Sequence, residues 1–147
     1  MAYKYLTELT SADVAFEATG ESLEEMFSYA GIALLGVMVR DPNKIEPKTK
    51  YEISKKEINE ERLLFSFLDE LVFLKDAEQM FFSKFDIKIH RDDEGYMLHA
   101  NAYGDKIDPK KHDIVIDAKA VTMHHFKVEK IKINGKEMWR CQVIIDV

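Results

Sequence analysis

Phe126-Lys127-Val128-Glu129-Lys130-Ile131-Lys132-Ile133-Asn134-Gly135, followed by the run Glu137 to Ile145, decides the fold. Asn-Gly between two strand-like runs marks a type I′ turn, because both central positions need positive φ. The two arms therefore predict an antiparallel hairpin. A second hairpin is expected from Phe82 to Ile89 and Tyr96 to Tyr103, closing across Asp92-Asp93-Glu94-Gly95. Lys119 to Met123 reads as a further strand. Between the hairpins, Gly104 to Asp113 is polar, carries Asp108-Pro109-Lys110-Lys111, and is the best candidate for a mobile loop.

Upstream of these strands the periodicity changes. Residues 12–18 alternate as a strand ended by Gly20. Ser22 and Glu25 then form an S-x-x-E capping box, and Leu23, Met26, Phe27, Ala30, Leu34, Val37 and Met38 recur at helical spacing until Asp41-Pro42-Asn43. Tyr51 to Ile58 alternates as a half-exposed strand. A second helix is expected from about Asn59 to Lys75, with Glu60 and Glu61 at the positive end of its dipole and an apolar surface wider than a narrow stripe. Two early helices and a β-rich second half predict a single α+β domain over residues 1–147: a largely antiparallel sheet with two helices packed on one face.

The 147 residues fit one domain, and the 46% hydrophobic content supplies a core without disulfides. Subtracting 27 acidic from 21 basic residues leaves a net charge of −6. Such a chain has no overall attraction for a phosphate backbone, so strong direct nucleic-acid binding is not expected without a local basic patch. The lone Cys141 excludes an internal disulfide and reads as a small core or edge residue. No signal-peptide core and no membrane-length apolar run is present, which predicts a soluble, cytoplasmic protein without a membrane partner.

No phosphate-loop, dinucleotide-binding, zincin or nucleophile-elbow motif occurs. Of the histidines, adjacent His124 and His125 on a strand would point to opposite faces and so not share a metal merely by adjacency. Two carboxylates are more suggestive. Asp13 sits in the apolar run Ala12-Asp13-Val14-Ala15-Phe16, and Asp146 ends Val143-Ile144-Ile145-Asp146. A carboxylate in such a setting needs a cation or donors if it is desolvated. Together with the α-carboxylate of Val147, they would offer hard oxygen ligands to Ca²⁺, Mg²⁺ or Mn²⁺. The other reading is that both lie at strand ends and face water.

Thr10-Ser11-Ala12-Asp13-Val14, Ala120-Val121-Thr122-Met123-His124 and the closing Asp146-Val147 resemble, in order, three motifs of the archease family. Leu23-Glu24-Glu25-Met26-Phe27 and Phe67-Leu68-Asp69-Glu70-Leu71 resemble the openings of that family's helices. The likeness spans nearly the whole chain. It departs from the family at Thr10, where the family has histidine, and at Met123, where it has an aromatic residue.

The resemblance implies a divalent-cation site at Asp13, Asp146 and Val147, with calcium as the first candidate and magnesium or manganese as alternatives. It also implies a partner, the RtcB-type tRNA-splicing RNA ligase, whose guanylylation and repeated turnover the protein would promote without chemistry of its own. A metal-dependent phosphohydrolase built on Asp13 and Asp146, and a chaperone or modulator of an RNA-modifying enzyme, are the rival expectations.

Overall fold

A computed structural model describes residues 3–6 and 13–147. Ten elements follow one another: β1 (Tyr3–Leu6), β2 (Val14–Gly20), α1 (Leu23–Met38), a 3-10 turn (Pro42–Lys44), β3 (Thr49–Glu57), α2 (Glu60–Glu78), β4 (Met80–Asp92), β5 (Gly95–Lys106), β6 (Ala120–Ile133) and β7 (Lys136–Asp146).

All strand pairs are antiparallel, and the two turns account for this in β4–β5 and β6–β7. Asn134 and Gly135 adopt φ of 52° and 80°, the signs a type I′ turn needs. The strands divide between two sheets rather than one, in the orders β1-β2-β7-β6 and β3-β5-β4. Each helix touches both sheets: α1 lies on β2 and β4, and α2 on β3 and β6.

Helix starts follow their side-chain chemistry. The Ser22 hydroxyl accepts from the Glu25 N–H at 3.1 Å, and the Glu25 carboxylate accepts from the Glu21 N–H at 3.0 Å. The reciprocal bond of the box thus reaches one residue further back than the pattern suggests. Asn59 caps α2 by accepting from the Arg62 N–H at 2.9 Å, and Gln79 ends that helix in the left-handed region, with φ of 55°.

The core lies where the two sheets meet the helices. Phe67 of α2 packs at a tilt against Phe27 of α1 at 5.9 Å and edge-to-face against Phe85 of β4 at 5.6 Å. Phe16, Phe27, Phe67, Leu63, Leu64 and Leu98 are fully buried. Burial also settles the reading of Cys141: removal from water pushes its thiol up to about 12, which leaves it protonated and inert near neutral pH.

The polar stretch after β5 is fastened rather than loose. The Ile107 N–H donates to Gln79 O at 2.8 Å, the Arg40 N–H to Asp113 O at 2.9 Å, and the Val115 N–H to Met38 O at 2.7 Å. His112 is buried against Phe81 and accepts from the Asp108 N–H at 3.2 Å. Lys75, nearly fully buried, then holds the run beyond it through Asp117 and, at 2.8 Å, the carbonyl of Ala118. Composition signals a loop here. Backbone partners on distant elements decide that it is a strap.

Candidate functional site

The four-stranded sheet brings the two ends of the sequence together. β2 and β7 are its inner strands, paired from Val14↔Ile145 to Gly20↔Trp139. Asp13 is the residue before Val14 and Asp146 the residue after Ile145, so the two lie at the same end of neighbouring strands. Apolar burial on both faces supports this pairing near its end: Ala15, Phe16 and Ala18 of β2 and Cys141, Val143, Ile144 and Ile145 of β7 are all buried. Asp13, Asp146 and Val147 are only half-buried, as expected where a sheet emerges from its core. On the other side of β7, Ala120 of β6 pairs with Asp146, and the Lys119 N–H donates to Asp146 O at 2.8 Å. That bond uses one lone pair of the main-chain oxygen, and the carboxylate is the charged ligand group that Asp146 offers.

A hard divalent cation suits this donor set: two carboxylates and the oxygen of Val147, with no sulfur or imidazole. Among the described residues no group of three or more His, Cys, Asp or Glu side chains converges for a metal. The tip therefore offers a small number of charged ligands, and coordination positions would be left for water or a partner. Thr10, Ser11 and Ala12 of the first motif lie outside the described residues.

The tandem histidines depart from the expected geometry. The pairing of β6 with β7 slips between Thr122 and Lys127, and His125 takes a left-handed φ of 52°. Strand alternation fails in such a bulge. The His124 and His125 rings accordingly sit beside one another, 4.2 Å between centroids, instead of on opposite faces. The Gln142 side-chain amide donates to His125 O at 2.9 Å and secures the bulge. No sequence signal short of a known register would have disclosed it.

A second surface was not singled out from the sequence. The outward face of β3-β5-β4 carries a cleft of about 310 Å³ between Glu52, Ser54, Asp86, Lys88, His99 and Asn101. Ser54 Oγ and His99 Nδ1 are 3.0 Å apart. The signal was present as lysines at even spacing, Lys50 with Lys56 and Lys84 with Lys88, but their significance depends on which strands are neighbours.

Over residues 3–147 the sequence matches the Archease protein family. It is 39% identical over 137 residues to protein archease of Pyrococcus abyssi, an alignment covering 93% of this chain and 94% of that one. Identity to protein archease of Methanosarcina mazei is 34% over 146 residues, covering 99% and 95%. The solution structure of Methanobacterium thermoautotrophicum protein 1598 superposes with a TM-score of 0.82 at 32% identity, covering 99% of each chain. The crystal structure of an archease from Thermotoga maritima, described as a possible chaperone, has the same fold, with a TM-score of 0.58 at 19% identity and coverage of 94% and 93%.

Proposed function

The chain belongs to the archease family, and on that premise we propose that it activates an RtcB-type tRNA-splicing RNA ligase through a divalent-cation tip at Asp13, Asp146 and Val147. The observation that carries the reading is the β2–β7 register, Val14↔Ile145, which sets the two acids at one end of adjacent inner strands. Calcium is the first candidate for the cation, with magnesium or manganese as alternatives. Bound there, it would supply a concentrated positive charge with open coordination positions, suited to a bridging contact.

This chain's residues bind and orient rather than react. Rigid inner strands hold the acids, and the Lys119–Asp146 backbone bond fixes the tip against β6. The net charge of −6 favours approach to a basic, RNA-gripping surface and raises the rate of encounter with it. No helix among the described residues is long and apolar enough to cross a membrane.

Ligase guanylylation and multiple-turnover RNA joining test the reading, with the purified chain titrated against its cognate ligase. Asp13→Asn and Asp146→Asn should remain folded yet lose activation by tenfold or more. They should also weaken calcium binding in calorimetry, because each removes one of few charged ligands. Full activation by both variants would overturn the site, and unchanged ligase turnover with the unaltered protein would overturn the function.

A further inference from the structure

The three-stranded sheet points one side at the core and the other at solvent. Ile53, Ile87, Leu98, Ala100 and Ala102 face inward and are buried. By alternation, the residues between them form four outward rows across β3, β5 and β4. The registers define these rows as Lys50–Tyr103–Lys84, Glu52–Asn101–Asp86, Ser54–His99–Lys88 and Lys56–Met97–His90. All of the β3 and β4 members are exposed, and those of β5 are exposed or half-exposed.

Charge on this face runs against the balance of the chain. Four lysines stand there against two carboxylates, on a protein whose overall charge is −6. Lys56 pairs with Glu94 at 2.9 Å, and Lys84 lies over the Tyr103 ring at 5.4 Å. Among the described residues, Lys50 and Lys88 form no ion pair. Among the described residues Lys50, Lys84 and Lys88 thus stand without an ion pair near the Tyr103 ring, on either side of a row of hydrogen-bonding groups that includes Glu52 and Asp86.

We propose that the outward face of β3-β5-β4 binds a single-stranded RNA segment. Lysines of the first and third rows would face phosphates, and Tyr103 would offer a stacking surface for a base. Glu52, Asn101 and Asp86 stand between those lysines. Carboxylates would repel an acidic peptide, but they accept hydrogen bonds from the exocyclic amino groups of bases, as Asn101 can also do. Ser54 and His99 add polar contacts in reach of a 2′-hydroxyl. The mixed row therefore favours a nucleotide chain over a uniformly acidic partner. The whole-chain charge excludes broad electrostatic attraction to RNA, whereas this face supplies the local patch that such binding needs. The inference uses none of the tip residues and does not depend on the ligase reading.

Fluorescence anisotropy of the full chain, without ligase, tests it with a labelled twelve-nucleotide single-stranded RNA at 50 and 200 mM KCl. Saturable binding is expected, falling severalfold between the two salts with a slope of about 0.7 per phosphate contact. The double variant Lys50→Glu/Lys84→Glu should weaken binding more than tenfold. A double variant of equal charge change on the other sheet, Lys4→Glu/Lys130→Glu, should weaken it less than threefold. Backbone amide shifts on adding the RNA to the unaltered protein should cluster in β3, β4 and β5, a readout independent of any variant's folding. Absence of binding at 50 mM salt, equal losses in the two double variants, shifts centred elsewhere, or equal binding of a poly-glutamate peptide would overturn the proposal.

Discussion

The two sheets share one pairing rule and treat their charges differently. In the four-stranded sheet an ion-pair ladder crosses all four strands: Lys4 of β1 to Glu17 at 3.2 Å, Glu17 of β2 to Arg140 of β7, and Arg140 to Glu129 of β6 at 2.9 Å. Opposite charges meet on neighbouring strands along that row. In the three-stranded sheet the register runs unbroken from Thr49↔Gly104 to Glu57↔Tyr96 along β3 and β5 and slips once between Phe82 and Lys84 of β4, and its outward lysines stand opposite Tyr103, His99 and Met97 rather than acids. Cross-strand complementarity stabilises a sheet. Its absence on a well-formed sheet leaves those charges available to something outside the fold.

The largest expected effect tests whether the two sheets are one cooperative unit. Phe67 is fully buried where α1, α2 and β4 converge, so Phe67→Ala should cost about 3–5 kcal/mol. Urea unfolding followed by tryptophan fluorescence and by circular dichroism should give a single coincident transition. Trp139 lies in the four-stranded sheet, so separate transitions would break the picture of a shared core.

A smaller effect concerns the strap that joins the sheets. Lys75 donates to Asp117, to Ala118 O at 2.8 Å and to Asp76 at 2.8 Å. Burial pulls its pKa down, but these hydrogen bonds and charges win and hold it above the ordinary lysine value. Both carboxylates are largely exposed, so water screens much of the attraction. Lys75→Met should cost about 1–2 kcal/mol, chiefly from the orphaned Ala118 carbonyl. Amide exchange should accelerate across residues 113–119 and remain unchanged in the β3–β5 ladder.

The smallest effect sharpens the contrast in charge. At Glu17, burial pushes the carboxyl up, but hydrogen bonds from Arg140 and Lys4 outweigh it and hold the group below its ordinary 4.5. A depressed carboxylate stabilises the fold above its unfolded pKa, and that contribution fades as pH falls through the lower folded value. Glu17→Gln should therefore cost about 0.5–1 kcal/mol at pH 7. The difference from the unaltered protein should be constant above about pH 5 and shrink below 4.5, measured by urea denaturation at each pH. A difference independent of pH would show that packing, not charge, holds the ladder.

Much of this architecture was legible in local chemistry. Asn134-Gly135 specified its turn because only residues tolerant of positive φ fit there, and Ser22 and Asn59 announced their helices through the donors they cap. Asp13 and Asp146 stood out as acids in apolar runs. The bulge at His125 was not legible, since it arises where β6 meets β7 out of step. Nor was the lysine-rich face, because Lys50 and Lys84 become neighbours of Tyr103 only after β3 and β4 have paired with β5.

By itself, then, the sequence determined both helices, the strands other than β1, which sides of them are apolar, and which family the chain belongs to, since each depends on residues close together or on motifs in order. Tertiary structure alone decided the division into two sheets, the fastening of the strap by Lys75, and the β2–β7 register that sets residue 13 beside residue 146. Those outcomes depend on contacts between segments far apart in the chain, where burial of shared apolar surface, rather than any local preference, selects the partner.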